Sequence, residues 1–275
     1  MVRMVSDSAF IEQLVQTAHL AAWQAGQVIK QQNSQPRKVK SKGFRDLVTQ
    51  TDLAAQLAAV KVITERFHDH LIYAEEDPRI KPSADGRWPI PDGVVWVIDP
   101  LDGTSNYVSQ LPLVGVSVGA VIDGVPVAGA IYDPLGNELF EGGLGRGATL
   151  NGRPLQPLAI VALEDSMISM DFARDPEIRA RAVASFAALS PRCRTLRTLG
   201  SAALALAYVA AGRLQAYLHF NLQPWDVGAG AVMIRETGGE LRSPEGAIWQ
   251  LEQVAVMAGH PELLDQIGAV IASAT

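Results

Sequence analysis

Residues 93–98 read Gly-Val-Val-Trp-Val-Ile, an unbroken apolar run that stops dead at Asp99. A short apolar run bounded by turn residues reads as a buried strand. The second half of the chain then alternates. Strands are expected near Ser166–Met170, Arg194–Leu199, Leu214–His219 and Val254–Ala258, and helices over Pro176–Leu189, Ser201–Ala211, Asp226–Thr237 and Pro261–Ala272. Strands alternating with helices predict α/β layers. Upstream, Phe10, Leu14, Ala18 and Ala21 recur at helical spacing, so Ala9–Gln31 is a helix with Asp7 or Ser8 as its N-cap. A polar loop or weak hairpin comes next, and then a second helix from about Thr51 to Phe67. Leu71–Ala74 is a short apolar run ending in three acids. Pro78–Gly93 is rich in Pro, Gly and charge and is expected to be a mobile surface excursion. A β-rich stretch covers Val114–Leu150, with turns at Asp123-Gly124, Asp133-Pro134 and Asn151-Gly152. The chain is expected to be one domain with two halves, roughly 1–150 and 151–275.

Several function classes are disfavoured by composition. The net charge of -6 argues against nucleic-acid binding. It does not exclude phosphate substrates, because bound cations can reverse a local field. Cys193 is the one cysteine, so no disulfide framework exists within the chain. The N-terminal residues lack the apolar core of a signal peptide. The weakly polar stretch Leu199–Gly212 is too short for a membrane helix. These features together predict a cytoplasmic protein with no membrane contact.

The chemistry lies in acids placed where strands end. Asp99 and Asp102 follow the apolar strand, with Pro100 interrupting regular extension and Gly103 permitting a tight turn. Two carboxylates three positions apart at such a turn can point into one space, and so can the carbonyl of Leu101 between them. Hard cations such as Mg²⁺ take oxygen ligands of this kind. Glu75 and Glu76 end the apolar run before them, Asp52 opens a helix, and Asp226 follows Pro224-Trp225 at the start of another. Taken singly, each acid has a plainer explanation as a turn residue, a surface charge or a helix-dipole partner. Converged, they would carry about five negative charges and would need cations, because like charges a few ångströms apart repel strongly.

These are also the residues by which the chain resembles the inositol monophosphatase family of lithium-sensitive, metal-dependent sugar phosphatases. DLVTQTD (Asp46–Asp52), AEED (Ala74–Asp77) and WVIDPLDGTSNYVSQLP (Trp96–Pro112) occur in the family's order. YDPLGNELFEGGLGRGATLNG (Tyr132–Gly152) and PWDVGAGAVMIRETGGEL (Pro224–Leu241) complete the series, which spans nearly the whole chain. The AEED segment departs from the family pattern in having Ala74 in place of a glycine. The resemblance implies a five-layer αβαβα sandwich and a homodimeric, lithium-inhibited phosphatase using two or three Mg²⁺ ions. It implies that Glu75, Asp99 and the Leu101 carbonyl bind a first metal. Asp99, Asp102 and Asp226 would bind a second, and Glu75 would help hold a third. Asp52 and Thr104 would position and activate the attacking water, and Lys42 or Lys40 corresponds to a family lysine near the site. The backbone N–H groups of Gly103 and Thr104 could bind a phosphate oxygen.

The same resemblance leaves the substrate open. Inositol 1-phosphate is the first expectation. Fructose 1,6-bisphosphate, histidinol phosphate, NADP and phosphoadenosine phosphate are family alternatives, and a regulatory binding protein is the alternative outside catalysis. Seven residues before Asp226, the family's inositol phosphatases commonly carry a glutamate that contacts a sugar hydroxyl. Here that position is His219. A carboxylate accepts two hydroxyl hydrogen bonds, whereas a neutral imidazole accepts one and donates one, so recognition must differ. Gly200, Ser201 and Ala202 match a small-residue segment that could contact substrate. GGLGRG (Gly142–Gly147) resembles part of a dinucleotide fingerprint, but the ATLNG segment after it reads as strand and turn instead of helix. His68 and His70 flank Asp69 without enough further ligands for zinc and are expected at a solvated helix end.

Overall fold

In the computed structural model, residues 7–35, 39–43, 46–77, 79–83 and 87–274 are described, apart from the side chains of Lys42, Gly43 and Asp46. Helix α1 (Ser8–Gln32) is capped by Asp7, whose carboxylate accepts from Ala9 and Phe10 N–H. Strands β1 (Val39–Gly43) and β2 (Asp46–Thr49) pair as an antiparallel hairpin, so the expected loop or weak hairpin is a hairpin. Helix α2 (Gln50–Arg66) starts from a capping box. The Thr49 side chain accepts from the helix backbone, and the Asp52 carboxylate accepts from the Thr49 N–H at 2.8 Å.

A seven-stranded sheet comes next, in spatial order β3 to β9. Its members are β3 (Leu71–Ala74), β4 (Val94–Asp102), β5 (Gly115–Ile122), β6 (Val125–Asp133), β7 (Glu138–Gly143), β8 (Gly147–Leu150) and β9 (Arg153–Pro154). Only the β3–β4 pairing is parallel. The short helix α3 (Thr104–Val108) lies between β4 and β5. The second sheet has the order β11-β10-β12-β14-β13. It comprises β10 (Met167–Met170), β11 (Thr195–Arg197), β12 (Ala216–His219), β13 (Glu240–Arg242) and β14 (Val256–Gly259). Interleaved with these are helices α4 (Pro176–Leu189), α5 (Ala202–Ala210), α6 (Pro224–Glu236) and α7 (Pro261–Ala272).

Burial explains the layering. All eight residues from Val94 to Leu101 are buried, so β4 needs cover on both faces. Helices α1 and α2 cover one face through Ile11, Leu14, Ala18, Ala55 and Ile63. Helices α5 and α6 cover the other and also meet the second sheet, whose far face is covered by α4 and α7. The result is the αβαβα sandwich. The centre is tight because its contacts are small. A Cβ on Gly129 of β6 would fall 2.6 Å from the Cα of Ala229 in α6, and one on Gly119 of β5 would fall 2.9 Å from the Ala229 nitrogen. That close approach seats the second turn of α6 on the middle of β5 and β6.

Two sequence expectations change. The stretch expected to be a surface excursion is anchored: Trp88 is buried against Trp225 at 4.8 Å between ring centroids, and the Tyr73 hydroxyl donates to the Pro89 carbonyl. His70 does not end a solvated helix. Its ring stacks on Phe67 at 4.3 Å and its Nδ1 accepts from the Trp96 indole N–H. Among the described residues no helix is long and apolar enough to cross a membrane.

Candidate active site

Strand register brings the acids together. β3 pairs with β4 so that Ala74 lies beside Ile98, and the Glu75 N–H continues the ladder to the Ile98 carbonyl at 3.0 Å. Glu75 therefore stands next to Asp99. On the other side Asp99 pairs with Ser117 of β5, whose hydroxyl donates to the Trp225 carbonyl at 2.8 Å. That bond ties the start of α6, and with it Asp226, to the same strand end. Between Asp99 and Asp102 the β4–β5 register slips, because three steps on β4 match two on β5. The extra residue is a bulge that turns the strand end inward. Gly103 then takes φ +86°, and a Cβ there would lie 2.8 Å from the Leu113 carbonyl, so the turn needs glycine.

The outcome is one cavity of about 510 Å³, lined among others by Glu75, Asp99, Leu101, Asp102, Thr104 and Asp226. Each carboxylate is held from its own neighbourhood. Asp99 accepts from the Leu101 N–H at 3.0 Å and Asp226 from the Gln223 N–H at 2.7 Å. Asp102 Oδ2 accepts from the Ser201 hydroxyl at 2.5 Å and the Ala203 N–H at 2.7 Å, which fastens it to the first turn of α5. Asp52 stands behind Thr104, outside the cavity lining. It is buried, it accepts from both the N–H and the hydroxyl of Thr49, and its Oδ1 lies 3.1 Å from the Thr104 hydroxyl. That hydroxyl is also 3.1 Å from the Leu101 carbonyl.

Electrostatics mark the same group. Burial pushes the Asp99 carboxyl well above the usual carboxylate range, and the charges of Glu75, Asp102 and Asp226 push it further. Asp226 is raised by burial and then by Asp102 and Glu75. Asp102 rises to about 6 through burial, with the Ser201 and Ala203 hydrogen bonds opposing. Asp52 is raised by burial against the bonds from Thr49 and Thr104. Glu75 favours the protonated form of Asp99 through its charge and through side-chain hydrogen bonding, so a proton sits more easily between the two carboxylates. A cation can take that proton's place, and an all-oxygen donor set suits a hard divalent ion. The donor chemistry therefore fits Mg²⁺. Among the described residues, no three His, Cys, Asp or Glu side chains already stand in a metal-holding arrangement. Asp102 and Asp226 each spend an oxygen on a main-chain N–H, and Asp99 leans on Glu75.

The sequence matches the profile of the inositol monophosphatase family over residues 11–274. The chain belongs to the inositol monophosphatase family. It is 34% identical to inositol monophosphatase 3 of Solanum lycopersicum over 95% of this chain and 97% of that one. It is also 34% identical to the Nus factor SuhB of Escherichia coli K12, over 89% and 90% of the two chains. Among solved structures, the extragenic suppressor protein SuhB of Bartonella henselae superposes with a TM-score of 0.86 at 29% identity, covering 98% of this chain and all of that one. SaIMPase-II bound to inositol monophosphate superposes at 0.77 with 28% identity, over 94% and 95% of the chains. Members of the inositol monophosphatase family are metal-dependent phosphomonoesterases, and this chain is a phosphoric monoester hydrolase of that family.

Set against the residues singled out from sequence, the cavity gathers Glu75, Asp99, Leu101, Asp102, Gly103, Thr104, Gly200, Ala202, His219 and Asp226. Ser201 lies outside that lining: it is buried, and its hydroxyl donates to Asp102. The side chain of Lys42 lies outside the described residues, and Lys40 is exposed on β1. Two lining residues carry no local signal in the sequence. Asp171 accepts from the Gly200 N–H at 2.9 Å and the Tyr217 hydroxyl at 3.2 Å, bracing the loop before α5. Arg174 stands close enough for its charge to act on both Asp226 and His219.

Proposed function

We propose that this enzyme is a Mg²⁺-dependent phosphomonoesterase acting on a small phosphorylated polyol, with inositol 1-phosphate as the reference substrate. The observation that carries the proposal is the convergence of Glu75, Asp99, Asp102 and Asp226 on one cavity beside the Thr104–Asp52 pair. Phosphate monoesters react very slowly unaided, so catalysis rests on positioning and charge. Bound divalent cations supply the positive charge that draws in the ester and makes water more acidic. Glu75, Asp99, the Leu101 carbonyl, Asp102 and Asp226 would hold them.

The chain's own residues do the rest. Thr104 Oγ1 donates to Asp52 Oδ1 and so keeps its lone pairs available to accept from a water on the cavity side. As that water attacks phosphorus and the ester P–O bond breaks, its proton passes to Thr104 Oγ1 while the Thr104 proton passes to Asp52, and the leaving alkoxide takes a proton from solvent. Asp52 is suited to receive it, because burial already favours its protonated form. No covalent phosphoenzyme is required. Gly103 and Thr104 at the start of α3 can orient the phosphate through their N–H groups.

The test is phosphate release from inositol 1-phosphate with and without Mg²⁺, in wild type and Asp99→Asn. The variant is expected to lose nearly all turnover while keeping the fold, and near-wild-type activity would refute the assignment. A second reading, a regulatory binding protein, draws on the likeness to a relative named a Nus factor. Absence of phosphate release from a panel of phosphomonoesters in Mg²⁺ would favour it.

A further inference from the structure

Beside the carboxylates the same cavity is lined by Phe172, Arg174, Arg179, His219 and Asn221. The hydrogen-bonding character of this part is set by the fold. His219 is buried at the end of β12, and its Nδ1 accepts the Asn221 main-chain N–H at 3.0 Å. A main-chain N–H can only donate, so Nδ1 carries no proton and Nε2 does. Burial and the nearby Arg174 charge hold the His219 pKa down at about 4, so the ring stays in that neutral form in neutral buffer. His219 therefore offers a fixed N–H donor. Asp171, a carboxylate on this part of the lining, spends its oxygens on Gly200 and Tyr217. Arg179 lies over the Phe172 ring, 5.2 Å from its centroid, and donates to the Ala173 carbonyl. That contact fixes the segment from which Arg174 projects at the exposed rim.

We infer that this end of the cavity is an anion subsite, in which Arg174 and the His219 Nε2–H receive a second anionic group on the phosphomonoester substrate. The inference rests on the phosphatase reading and narrows it. A hydroxyl needs a partner that can accept as well as one that can donate, whereas a phosphate or carboxylate presents acceptors only. Arg174 and the His219 Nε2–H are both donors, and a guanidinium fork matches a phosphate or carboxylate edge. The substrate class is therefore a phosphate ester with a second phosphate or a carboxylate, in preference to a polyol with one phosphate.

Two matched pairs test this in Mg²⁺: fructose 1-phosphate against fructose 1,6-bisphosphate, and adenosine 3′-monophosphate against 3′-phosphoadenosine 5′-phosphate. Wild type is expected to favour the doubly charged member of at least one pair by about 10- to 100-fold in kcat/KM, mostly through KM. Arg174→Gln and His219→Glu should each reduce that ratio about tenfold or more. Equal use of both members in both pairs overturns the inference, as does a preference that Arg174→Gln leaves unmoved. Calorimetric binding of the same pairs reads the subsite without requiring turnover. A protein that releases no phosphate even from p-nitrophenyl phosphate, yet binds the doubly charged members tighter through Arg174, keeps the subsite and overturns the phosphatase reading. One that hydrolyses p-nitrophenyl phosphate but shows no preference in binding or turnover keeps the phosphatase reading and overturns the subsite.

Discussion

Replacing Asp171 by alanine tests whether the loop before α5 is braced from beneath. Two donors lose their acceptor: the hydroxyl of the fully buried Tyr217 and the N–H of Gly200. An unsatisfied buried donor costs about 1–3 kcal/mol. The Tyr217 hydroxyl, cut off from solvent, bears that in full. Gly200 is exposed, so water can replace its partner and its share lies at the low end. The sum is roughly 2–4 kcal/mol, which for a chain of this size lowers Tm by about 4–10 °C. Asp171→Asn keeps an oxygen for Gly200 and removes a carboxyl that burial already disfavours as an anion, so it should recover at least half of the loss. Urea unfolding and thermal melts of the two variants supply the measurement. Because Gly200 precedes the Ser201 that holds Asp102, Asp171→Ala should also raise KM more than it lowers kcat. An alanine variant within about 0.5 kcal/mol of wild type would refute the reasoning, since that is the scatter of surface substitutions with no structural role.

The site and its packing set three further outcomes. Thr104→Val should lower kcat by about 10²–10⁴-fold with little change in the circular dichroism spectrum, while Thr104→Ser keeps most activity, as expected for a hydroxyl that relays a proton; equal rates for the two would exclude the relay. Gly129→Ala drives a methyl against the backbone of α6, which cannot yield as a side-chain tip can, and should cost about 1–3 kcal/mol in urea titrations. Chelation with EDTA should lower Tm more at pH 8 than at pH 5. Asp99, Asp102 and Asp226 have folded pKa values above their unfolded ones, so the metal-free protein has this stability in full below about pH 4 and loses it as pH rises, through about 6 for Asp102. A chelation effect independent of pH would show that these carboxylates do not meet in the folded state.

Local signals made much of this legible from sequence. The apolar run into Asp99 announced both the strand and the place where its polarity changes. Asp52 read as the acid that opens a helix, though not as half of a capping box with Thr49, and α4 and α7 begin and end where proline and periodicity put them. What escaped depends on partners distant in the chain. Asp171 looks like an ordinary turn residue until Gly200 and Tyr217, 29 and 46 positions later, are laid against it. Ser201 could be matched to a substrate-facing segment because nothing local shows that Asp102, 99 positions earlier, takes its hydroxyl. His219 was visible as a departure from the family pattern, but its proton position depends on how the backbone folds back at Asn221. Trp88 sat in a stretch whose composition suggested mobility, and only the ring of Trp225 explains its burial.

The two bonds that Asp102 accepts from the start of α5 also constrain how the enzyme can breathe. Asp102 belongs by sequence to the larger sheet, while α5 packs against both sheets. Hinging the sheets apart would pull this carboxylate off Ser201 and Ala203 and break up the acidic cluster at its middle. Exchange between the cavity and solvent therefore runs over its exposed rim, where Ser105, Arg174 and Gly200 lie, with the layers behind them staying shut.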